Sequence, residues 1–89
     1  MAGAELLFRL LDDLKTVEER LLDAFALLDF AAIRAQTHVL ISVAGAVGAT
    51  GLQHLAERVN TAANSQDAAV IKQSVGRLLT LLDALILLA

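Results

Sequence analysis

Apolar residues along this chain recur mostly at intervals of three and four, the spacing that lines one face of an α-helix. In the first third, Leu7, Leu10, Leu14, Val17, Leu21, Phe25 and Leu28 form such a stripe. It predicts a helix from Ala4 to Leu28 of about seven turns. Thr16 followed by Glu19 has the form of a capping box, so the stripe also fits two helices parting near Lys15. Asp29 suits the N-cap of a second helix, which runs through Arg34 and His38 to Val47, with Gly48 placed to end it. Thr50 and Gln53 repeat the capping-box pattern and open a third helix with Leu52, Leu55, Ala56, Val59 and Ala63 on its buried side. The rhythm breaks from Asn60 to Asp67. Ser65 or Asn64 then caps a fourth helix, in which Ile71, Val75, Leu78, Leu82 and Leu85 follow steps of four and three. Each stripe can be buried only against its neighbours, and the connections are short. The expected fold is an all-α, antiparallel up-down four-helix bundle.

Composition agrees. Leu and Ala supply 36 of the 89 residues, and both are strong helix formers. The length suits one domain over residues 1–89, and with no cysteine or proline the fold must rest on its apolar core. A net charge of −3 with seven scattered Lys and Arg residues argues against a nucleic-acid partner. The apolar run from Ala84 to Ala89 is too short to span a bilayer, so no membrane insertion is expected. Glu5, Arg9, Asp12 and Asp13 interrupt the first leucines, which does not fit a secretory signal, and a cytoplasmic location is the expectation. The methionine start and compact length suggest a free-standing domain. Apolar residues make up 57% of the chain, and the last turns, LLDALILLA, are apolar on more sides than one core uses. This leaves room for a homodimer.

The chemistry concentrates at His38, in the stretch THVLISVAGAVGA. Ser42 and Gly45 lie one and two turns beyond it on the same face, and such small neighbours leave an imidazole approachable. Imidazole is neutral in part near physiological pH, with a nitrogen lone pair free to act as a nucleophile. No Ser-His-Asp pattern recruits it for acyl transfer. No metal site is expected: His54 and Glu57 make two ligands at most, and His38 has no carboxylate or histidine at ligand spacing.

The leucine-rich first helix, the Asp29-Phe30 pair, His38-Val39-Leu40, the run Ala44 to Ala49, and Leu52 with Leu55 follow one another in a set order. In that order and spacing, over nearly its whole length, the chain resembles the histidine-containing phosphotransfer (HPt) domains of multistep His-Asp phosphorelays. No single piece is specific. The resemblance implies that His38 is a phosphoacceptor exposed on the second helix. It also implies a partner, the receiver domain of a response regulator or hybrid histidine kinase, and a carrier role rather than a self-contained enzyme. No cofactor is expected, any Mg²⁺ belonging to the receiver. Family members usually carry a lysine three residues after the histidine and a glycine at four, where this chain has Ile41 and Ser42. Arg34, one turn before His38, is a candidate substitute charge, and Ser42 a candidate hydroxyl donor. Ala35, Ile41 and Gly45 are expected to form the docking contact around the imidazole. The missing lysine also fits another role, a bundle that keeps the fold without the chemistry and serves as a regulatory or dimerisation module.

Overall fold

The computed structural model describes residues 2–88, so Met1 and Ala89, the ends of the expected 1–89 unit, lie outside the described residues. These residues form four helices: α1 (Ala2–Leu27), α2 (Phe30–Ala46), α3 (Thr50–Asn64) and α4 (Ala68–Leu88). Each packs against the next, and α4 closes back on α1, while the diagonal pairs face one another across the core. The fold is the expected all-α four-helix bundle, with its helices antiparallel in sequence.

One turn geometry is used three times. Leu28, Gly48 and Gln66 have left-handed φ values of 50, 75 and 56°, and the next residue donates its N–H back to a carbonyl five positions earlier. Those bonds are Asp29 to Ala24 at 2.9 Å, Ala49 to Ala44 at 2.8 Å and Asp67 to Ala62 at 2.8 Å. This is the Schellman ending, which satisfies carbonyls left over at a helix C-terminus. In two of the three turns the residue that donates this bond also caps the following helix with its side chain. Asp29 accepts from Ala32 N at 3.1 Å, as expected from the sequence. Asp67 does the same for Val70 N at 3.2 Å.

Several boundaries differ from the expectation, each for an identifiable reason. α1 does not break at Lys15, because Leu14, Val17, Leu21 and Ala24 are buried straight through the Thr16–Glu19 pattern. α3 starts from Ala49, without a side-chain cap, and Thr50 is its first helical residue. Gln53 does not turn back toward Thr50; its amide lies against Gly45 of α2. Asn60 stays within α3 because its side chain has partners on α2. Neither Ser65 nor Asn64 caps α4. Ser65 Oγ donates back to the carbonyl of Thr61 at 3.1 Å, and Asn64 Oδ1 accepts from Arg34 at 3.2 Å.

Leu14, Leu21, Ile33, Leu40, Val59, Ile71, Leu78 and Leu82 form the centre of the core. Leu55 and Leu85, expected inside, sit half-buried against it, and Val75, also expected inside, is half-buried. Leu7 is 59% exposed, because α1 outruns its neighbours. Among the described residues no helix is long and apolar enough to cross a membrane.

Candidate functional site

The two faces of α2 differ sharply. Ile33, Thr37, Leu40 and Ala44 point into the core, at the three- and four-residue steps of one helical stripe. The opposite face presents Ala31, Arg34, Ala35, His38, Val39, Ser42 and Gly45, all exposed. The neighbours of α2 in the bundle are α1 and α3, and among the described residues no helix lies over this face. His38 therefore stands in the middle of α2 with alanine, serine and glycine one or two turns away.

The turn that carries His38 is fixed from beneath. Thr37, fully buried, donates its hydroxyl to the carbonyl of Ile33 at 2.8 Å, with that of Arg34 at 3.2 Å. Asn60 Nδ2 of α3 donates to both the Arg34 carbonyl and Thr37 Oγ1, each at 3.0 Å. A buried hydroxyl without partners is costly, and these bonds leave no buried side-chain polar atom unpaired among the described residues. Asn60 was read in the sequence only as a break in the apolar rhythm. The signal that distinguishes it is a single amide between buried Val59 and buried Ala62, a position facing a neighbouring helix.

The residues expected around His38, Ala35, Ile41 and Gly45 for docking and Ser42 beside the phosphate, divide into two groups. Ala35 and Ser42 are open beside His38. Ile41 is half-buried and packs against the core, so only part of it reaches the surface. Gly45 is exposed, but a Cβ built on it would stand 2.9 Å from Gln53 Nε2, and its missing side chain gives room to α3. Arg34 is not aimed along α2 toward His38. Its Nη1 donates to Asn64 Oδ1 at 3.2 Å, which draws the guanidinium across to the C-terminal end of α3. A second cation borders the face from the other side. Arg20 of α1 shares a shallow hollow with Gln36 and Val39, the latter being the residue next to His38.

His54 and Glu57 are exposed on α3. Among the described residues no group of three or more His, Asp or Glu side chains is arranged to hold a metal ion. Comparison with protein-family models, with curated proteins and with solved structures finds no match to this chain.

Proposed function

We propose that this chain is a histidine phosphotransfer protein of a multistep His-Asp phosphorelay. The observation that carries the reading is the exposure of His38 at the centre of α2, with Ala35, Ser42 and Gly45 leaving space for a receiver domain. In the transfer, an imidazole nitrogen attacks the phosphorus of the receiver's aspartyl phosphate. The N–P bond forms, the P–O bond to the carboxyl oxygen breaks, and the aspartate leaves as a carboxylate. The reverse step hands the phosphoryl group on. Such chemistry needs positioning and charge stabilisation more than a base on the carrier.

Arg34 reaches the phosphoryl oxygens in this reading only by releasing Asn64. That exchange is favourable in kind, because a charge-assisted bond to phosphate is stronger than one to a neutral amide. The hydroxyl of Ser42 lies on the same face as a further donor. Ile41, packed into the core where relatives carry a lysine, favours the second reading, a regulatory bundle without transfer. One experiment separates the two: incubation with a panel of phosphorylated receiver domains, scored for acid-labile label on the wild type and on His38→Gln. Label on the wild type alone is the expected result. No label on either folded protein selects the regulatory bundle.

A further inference from the structure

The start of α1 stands apart from the bundle. Gly3 to Arg9 are all exposed, and the stripe that joins the core begins at Leu10. Register explains this. Glu18 and Asp83 meet across the α1–α4 seam, so in antiparallel helices the end of α4 at Leu88 falls level with Asp13. On the other flank Arg20 and Val17 meet Gln36 and Val39, which puts the end of α2 at Ala46 level with Leu10. Among the described residues no helix lies beside α1 before that point.

This projecting stretch is apolar. Leu6, Leu7 and Phe8 are 63, 59 and 75% exposed, and Leu87 and Leu88 at the nearby end of α4 are 80 and 85% exposed. Ala4, Leu7, Phe8 and Leu11 surround a hollow. Their spacing is that of the four-residue hole which receives one side chain of a facing helix. The hollow also lies on a particular flank, because Leu11, Glu18 and Leu22 follow at seven and four residues, and Glu18 and Leu22 border α4. It is therefore the seat of α4, continued past the point where α4 ends.

We propose that the same stretch of a second copy fills this seat, giving a two-fold dimer with the α1 arms antiparallel. Centred on the hollow, that arrangement sets Ala4 of one copy against Leu11 of the other, and Leu7 against Phe8, small against large. The N-terminus of each arm then lies level with Asp12 and Asp13 of the other copy and in line with the carbonyl end of its α4. Carboxylates and helix C-termini are the groups that the positive end of a helix dipole favours, and symmetry supplies the pairing twice. Leu6 points away from the hollow and Leu88 toward α3, so covering Leu7, Phe8 and Leu87 in both copies removes about 800 Å² from solvent, the size of a weak, transient interface. An interface of this size suits a weak, reversible dimer. Up to Lys15 the charges are Glu5, Asp12 and Asp13 against Arg9 and Lys15, a net of −1 that offers no cationic patch to an anionic lipid surface. The His38 face, midway along α2, stays uncovered in both copies.

Sedimentation velocity from about 10 μM to about 1 mM tests this, since mass action carries a weak dimer with a dissociation constant of about 100 μM across that range. The wild type is expected to shift from monomer to dimer. Leu7→Glu should remain monomeric throughout with unchanged helical circular dichroism. Ala4→Arg, which fills the same hollow with a charged side chain, should do likewise. A wild type that stays monomeric, or a dimer that survives both substitutions, overturns the proposal. Flotation of the monomer with neutral or anionic vesicles would also overturn it, in favour of a lipid. The readout is mass, so it is independent of whether His38 transfers phosphate.

Discussion

The α2–α3 seam and the α1–α4 seam are held by different means. α2 and α3 make the most extensive contact in the bundle. Small buried residues such as Ala44, Ala56, Ala62 and Ala63 bring them close, and Asn60 and Asn64 reach across to named partners on α2. α1 and α4 make the least extensive contact. Their seam is bordered by leucines and by two carboxyl groups, Glu18 and Asp83, that repel one another when both are ionised. Polar bonds fix one register, whereas leucine against leucine tolerates several. The seam with fixed register holds the turn that carries His38. The looser one runs out into the uncovered arm.

The largest effect is expected where that fixed register is cut. Asn60→Ala removes the amide that donates to Thr37 Oγ1 and to the Arg34 carbonyl, the first bond partly buried and the second exposed, at a cost of about 1–2 kcal/mol. Urea denaturation would show this as a lower midpoint at an unchanged slope. A midpoint equal to the wild type would mean that the α2–α3 seam is held by small-residue packing alone.

A smaller effect of opposite sign tests what Gly45 is for. Its open side faces only the end of the flexible Gln53 side chain, which can swing away from a methyl group. Gly45→Ala should therefore gain the helix propensity that glycine forfeits, about 0.5–1 kcal/mol, and raise the melting temperature. Phosphotransfer, if present, should be retained. A variant that gains stability but loses transfer would show that the glycine makes room for a partner rather than for α3.

What the sequence discloses follows how far apart the interacting groups lie. The stripe of Leu14, Val17 and Leu21 and the cap at Asp29 are local patterns, and they predicted the helices and the α1–α2 turn. The exposure of His38 was legible for the same reason, since its small neighbours lie within two turns on one helix. Asp67 was passed over because Asn64, Ser65 and Asp67 all have capping side chains, and the choice among them depends on which residue follows the left-handed Gln66. Asn60 with Thr37, Arg34 with Asn64, and Glu18 with Asp83 are pairs made only by folding. No periodicity announces them, and Arg34 read alone pointed toward His38 rather than across to α3.

The smallest effect belongs to the looser seam and depends on pH. Partial desolvation at the edge of the α1–α4 seam raises the Glu18 carboxyl above its ordinary value of 4.5, and the charge of Asp83, a hydrogen bond shared with it, and the charge of Glu19 push in the same direction. The folded chain thus holds this proton more tightly than the unfolded chain does. Its stabilising contribution is complete below the unfolded value, and it is lost as pH rises from about 4.5 through the raised folded value. Glu18→Gln is permanently neutral and still able to donate a hydrogen bond to Asp83. It should be more stable than the wild type at pH 7, and the two should converge as pH falls below that window. The gain should be slight, because water screens a pair at the edge of the bundle. Denaturation midpoints measured across the acid range would reveal the convergence. A constant difference at every pH would assign the effect to packing, and would remove charge repulsion as the reason that α1 and α4 hold together less extensively than α2 and α3.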